Sequence, residues 1–147
     1  IMKQALAVVG AIVFLNFSGQ AGAQDITVGD LRTKGAAVLS ADEVKSLLTG
    51  ATVRYENAKF RTQFKMETNG KLVGSVMKST GSAGGTTLTG DWKVTDEGRW
   101  CGSITSAAGG AGAEWCRSVL KVGNNYYYAA GAAKDPSRPA FELKVSK

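Results

Sequence analysis

From Ala51 onward, apolar and polar residues alternate in short runs divided by Gly, Asn and Asp, the period of half-buried β-strands. Ala51, Val53 and Tyr55 alternate with Thr52, Arg54 and Glu56; Phe60, Thr62, Phe64 and Met66 alternate with Arg61, Gln63, Lys65 and Glu67. Asn69-Gly70 tolerates positive φ at both centres of a tight turn, which predicts a hairpin into a strand over 71–78. Further strands are predicted at about 86–95, 99–106, 114–122, 125–131 and 140–146. Just upstream the period is helical. Ser40-Ala41-Asp42-Glu43 is a capping box, Val44, Leu47 and Leu48 fall at i, i+3 and i+4, and Gly50 can take the left-handed position that ends a helix. One short helix over about 40–49 follows. The expected fold is mainly β: an antiparallel up-and-down small barrel or strongly curved sheet of about eight strands, with the helix packed on it or plugging one end. A two-sheet β-sandwich is the alternative.

Residues 24–39 carry few large apolar side chains and no sustained period, so a loosely ordered leader that packs little on the domain at 40–147 is expected. Residues 1–23 read as a secretory signal peptide. Lys3 supplies a positive start, Ala5 to Phe17 is apolar except for Asn16, and Ala21 and Ala23 form the A-x-A pattern of a cleavage site before Gln24. The apolar run is too short for a comfortable membrane span, and no Cys follows it for lipid attachment. An exported protein, periplasmic or secreted, without a stable membrane anchor after cleavage, is expected.

Export changes the reading of the two cysteines, Cys101 and Cys116, which in an oxidising compartment are expected to form a structural disulfide worth about 3 kcal/mol. That pairing also sets a register. Asp96-Glu97-Gly98 fits a three-residue hairpin loop pairing Thr95 with Arg99, which puts Trp92 opposite Gly102 and Val94 opposite Trp100. With Cys101 directly across from Cys116, Gly102 faces Trp115 and Trp100 faces Arg117. Alternation then gathers Trp92, Trp100, Trp115 and Arg117 on one face, with the cysteines on the other. Tyr126 and Tyr128 fall on one side of their strand and Tyr127 on the opposite side. These seven residues are the candidate binding set. Two readings fit: an aromatic core over which Arg117 stacks, or an aromatic platform for a ligand with Arg117 drawing an anionic group.

The chain carries a formal charge of +6. Its basic residues are scattered along the strands, as on a solvated outer face, and an exported protein meets no nucleic acid. There is no His, which removes the usual general base and the commonest metal ligand. Neither glycine-rich stretch, 79–85 or 107–113, has a phosphate-cradling pattern. No catalytic residue, cofactor or metal site is therefore expected, and a monomer is.

The elements Leu48-Thr49-Gly50-Ala51-Thr52-Val53, Gly90-Asp91-Trp92-Lys93-Val94, Trp100-Cys101 and Glu114-Trp115-Cys116, with Gly123 and Tyr126-Tyr127-Tyr128, resemble a family of small exported Gram-negative proteins known only as a domain of unknown function. The similarity covers roughly 38–130. It implies export, a β fold and a cysteine pair, and carries no activity. Gly90-Asp91-Trp92 is also similar to the G-x-W of lipocalins, but there the motif lies on the first strand and here it lies mid-chain. The function expected is a non-enzymatic binding protein that recognises a small amphipathic molecule through the aromatic face. The alternative is a surface interaction module, such as an inhibitor of an extracellular hydrolase, working through its glycine-rich loops.

Overall fold

Nine strands and two helices occur among the residues described by the computed structural model, 26–79, 85–107 and 112–147. They run α1 (Val28–Thr33), β1 (Ala37–Val38), α2 (Ala41–Leu48), β2 (Thr52–Glu56), β3 (Phe60–Met66), β4 (Lys71–Lys78), β5 (Thr86–Val94), β6 (Trp100–Ala107), β7 (Glu114–Val122), β8 (Asn125–Ala130) and β9 (Ala140–Ser146). The expected signal peptide with its cleavage point, and the centres of both glycine-rich stretches, lie outside the described residues.

Each of β2 to β9 pairs antiparallel with its neighbours in sequence, and β9 closes back on β2 through Arg54↔Lys144 and Val53↔Val145. The result is a closed eight-stranded up-and-down barrel and not a sandwich. Closure needs sharp bends, and glycine supplies one where β5 carries a bulge between Thr89 and Gly90. A β-carbon on Gly90 would lie 2.0 Å from the Ser103 carbonyl oxygen. The β3–β4, β5–β6 and β7–β8 turns gather at one end, which α2 plugs with Val44 and Leu48, both fully buried. Ser40 and Glu43 form the expected capping box. Gly98, at φ 85°, brings the β5–β6 turn so close to the chain before α2 that a β-carbon would lie 3.0 Å from the Leu39 carbonyl oxygen. The C-terminal ends of β2, β4, β6 and β8 lie at the other end, the mouth.

Cys101 and Cys116 are directly cross-strand and bonded, with Cα atoms 4.0 Å apart. They sit on the outer wall.

The expectation of a loosely ordered leader over 24–39 is overturned for its described part. Thr27 and Asp30 form a second capping box, and α1 buries Val28 and Leu31 against Leu120, Ala129, Ala133 and Ala140 on the outside of β7–β9. Strand β1 has a separate task. β6 pairs with β7 only from Glu114 to Arg117, so the rest of β7 would present an open edge. Ala37 and Val38 pair with Lys121 and Leu120, and the Leu39 N–H donates to the Val119 carbonyl at 2.9 Å. The segment satisfies backbone as well as burying side chains, which counting apolar residues does not reveal.

A chain beginning at Leu39 is accordingly expected to melt at least about 10 °C below one beginning at Ile26, because it loses two buried aliphatic anchors and a strand edge. Differential scanning calorimetry of the two chains checks this; equal melting temperatures would contradict the packing.

Candidate functional site

The hairpin registers fall as the turns and the disulfide require. Trp92 pairs with Gly102, Val94 with Trp100, Gly102 with Trp115, and Trp100 with Arg117. The face that carries them points into the barrel. Trp100 is fully buried and Trp115 half-buried, so these indoles are not a solvent-facing platform.

Glycine makes room for the rings. A β-carbon on Gly102 would lie 2.2 Å from Trp115 Cζ2, so the indole lies flat over the neighbouring strand. On the opposite wall, a β-carbon on Gly74 would lie 2.5 Å from Phe64 Cδ1. Phe64 and Trp115 then meet across the barrel as stacked rings, 5.6 Å between centroids and 10° between planes. From this stack the contacts continue in a circuit: Trp115 to Trp100 at 6.2 Å, Trp100 to Tyr128 at 6.5 Å, Tyr128 to Tyr55 at 4.9 Å, and Tyr55 back to Phe64 at 6.2 Å. All four are edge-to-face pairs, the geometry that ring quadrupoles favour. Phe141 stacks on Tyr128 from outside the circuit, at 5.3 Å.

Arg117 enters this ring of rings. Its guanidinium carbon stands 4.4 Å from the Tyr128 centroid, 4.9 Å from those of Tyr55 and Trp115, and 5.4 Å from that of Trp100. Each such contact contributes about 0.5–2 kcal/mol, more where water is excluded. No carboxylate among the described residues pairs with it; the ion pairs present are the surface ones Arg61–Glu56, Lys71–Asp91 and Arg99–Glu97. The rings compensate the flat faces of the guanidinium but not its in-plane N–H bonds. Arg117 Nη1, Trp100 Nε1 and Trp115 Nε1 are buried and have no hydrogen-bond acceptor among the described residues. An unsatisfied buried donor costs about 1–3 kcal/mol, so the cluster holds three costly groups of one kind.

The structure thus unites Trp100, Trp115, Arg117 and Tyr128 of the expected set and separates the others. Trp92 lies toward the α2 end, its Nε1–H donating to the Glu67 carbonyl at 2.9 Å. Tyr126 also lies there, beside a cleft of ≈ 360 Å³ shared with Leu39, Leu47 and Lys121. Tyr127 does point the other way, and it packs against the α1 cluster. Tyr55 and Phe64 were missing from the expected set. Alternation places them inward, but only barrel closure brings β2 and β3 against β7 and β8. Two larger clefts, ≈ 410 and 510 Å³, mix outward residues with members of the aromatic face: Arg54, Arg61, Gln63 and Lys144 with Tyr55 in one, and Asp91, Ser103, Glu114 and the disulfide with Trp92, Gly102 and Trp115 in the other.

Gly102→Ala should force the Trp115 ring off β6, lowering stability by about 1–3 kcal/mol and shifting tryptophan emission. Unchanged denaturation midpoint and emission would refute the close approach. Burial pushes the Tyr128 phenol up to about 12, against the downward pull of the Arg117 charge. The folded protein therefore keeps this proton to higher pH than the unfolded chain, whose phenols ionise near 10. The associated stability is complete below about pH 10 and is lost as the pH rises through about 12. Ultraviolet titration should show a phenol with that late midpoint, absent in Tyr128→Phe; identical curves would contradict the assignment.

No known family matches this chain by its family model, and neither a curated protein nor a solved structure matches it.

Proposed function

We propose that this chain is an exported, non-enzymatic binding module that takes up a small amphipathic molecule at the mouth of its barrel. One observation carries the reading: a cation held among aromatic rings, with N–H donors around it that lack acceptors among the described residues. A purely structural core gains nothing from such donors. The inward positions near the mouth supply an apolar approach, with Phe60 42% exposed and Val76, Leu88 and Phe141 half-buried. The interior below is filled by Phe64, Met66, Leu72, Trp100, Val119 and Leu143, which favours a seat at the mouth over an enclosed chamber. The disulfide, the signal-like segment and the resemblance to small exported proteins support the export half of the reading. A second reading, docking to a protein partner, draws on the described connections after β2 and β8, which leave the barrel at the same mouth.

Titration with dodecyl maltoside and dodecanoate below their micellar concentrations, followed by tryptophan fluorescence, tests the proposal. A saturable change with one-to-one stoichiometry is expected from at least one of the two, weakened about fivefold or more by Phe60→Ser, which removes apolar contact area at the rim. Absence of any saturable change would sink the mouth-binding reading.

A further inference from the structure

The chemistry of the buried cluster specifies the ligand's polar group more narrowly than the mouth does. Arginine presents five N–H donors and no acceptor, and indole presents one donor and no acceptor. Trp100 and Arg117 are directly cross-strand, and Trp115 is the next inward residue on β7, so the three donor-only side chains are contiguous. The Arg117 guanidinium lies 4.9 and 5.4 Å from the two indole rings. Trp100 is fully buried, and the orphan nitrogen atoms of all three are shielded from solvent.

What completes such a set must accept several hydrogen bonds, donate none, and offset an unpaired positive charge. An alcohol or an amide brings a donor of its own and no charge. A carboxylate meets all three demands, as does a phosphate group through its unprotonated oxygens, and hydrogen bonds to a charged acceptor are roughly twice as strong as neutral ones. We infer that Arg117, Trp100 and Trp115 form an oxyanion site, with carboxylate or phosphate oxygens accepting from Arg117 Nη1 and the two indole Nε1–H groups. Tyr55 and Tyr128 hold the guanidinium by their ring faces, leaving its N–H edge for the anion. Where the anion is the head of an amphipath, the inference rests on the mouth reading; where it is a free inorganic ion, the site stands without it.

Calorimetric titration of the disulfide-bonded chain separates these cases, using dodecanoate, dodecyl phosphate, dodecanol and inorganic phosphate. Both anionic amphipaths should bind at least about tenfold more tightly than dodecanol, the worth of one charge-assisted hydrogen bond. Arg117→Gln should erase that preference, and Trp115→Phe, which keeps a ring but removes the N–H, should reduce it about threefold or more. Circular dichroism establishes whether each variant folds, and Trp115→Phe decides the matter if Arg117→Gln does not. Equal affinity for dodecanol and the anions would overturn the oxyanion site while the mouth reading stood. An unaltered preference in a folded variant would overturn it too. If no dodecyl probe, dodecyl maltoside included, binds but inorganic phosphate binds the parent chain and not the folded variant, the oxyanion site holds and the mouth reading falls. If none of the four probes binds, the oxyanion site falls, and the mouth reading falls with it when dodecyl maltoside does not bind either.

Discussion

Arg117 carries its charge into the barrel with aromatic rings around it and, among the described residues, no carboxylate paired with it. Bringing an ion out of water costs several kcal/mol, and ring faces are a weaker answer than an acid. The answer works here because four rings share the task, and they can do so only if the barrel admits them. Eight strands leave an interior just wide enough for side chains to fill. Glycines at 74 and 102 let Phe64 and Trp115 lie flat on opposite walls and still stack, which leaves space beside them for the guanidinium. Remove either glycine and the circuit loses the geometry that keeps the cation.

The outer parts of the molecule protect this arrangement. Helix α2 stops one end of the barrel, so the route to Arg117 lies through the mouth. Strand β1 completes β7, which bears both Trp115 and Arg117, and the disulfide ties the same strand to β6 beside Trp100. The most specialised strand in the barrel is also the one most heavily braced. That is the pattern expected where side chains must be held in place for recognition.

The sequence made part of this legible for definite reasons. A three-residue turn ending in Gly98 and a directly cross-strand cysteine pair fix the register of three consecutive strands, so the shared face of Trp100, Trp115 and Arg117 is legible in the sequence. Alternation sorted Tyr127 from Tyr126 and Tyr128 in the same way. What alternation cannot give is distance across a barrel: Tyr55 and Phe64 join the site only through closure, and whether the aromatic face pointed inward or outward depended on that closure too. Residues 26–39 were misjudged because their contribution is backbone pairing and two anchors, Val28 and Leu31, behind a capping box at Thr27 and Asp30. Such a short signal is lost in a segment otherwise poor in large apolar residues.

The central claim is that rings alone hold the Arg117 guanidinium in the free protein, and nuclear magnetic resonance of its side chain tests it directly. Ring currents from Tyr55, Trp100, Trp115 and Tyr128 should move its Hδ and Hε signals well upfield, with nuclear Overhauser contacts to all four rings. Random-coil shifts and no ring contacts would mean that Arg117 lies outside the circuit, and the account built on it would be wrong.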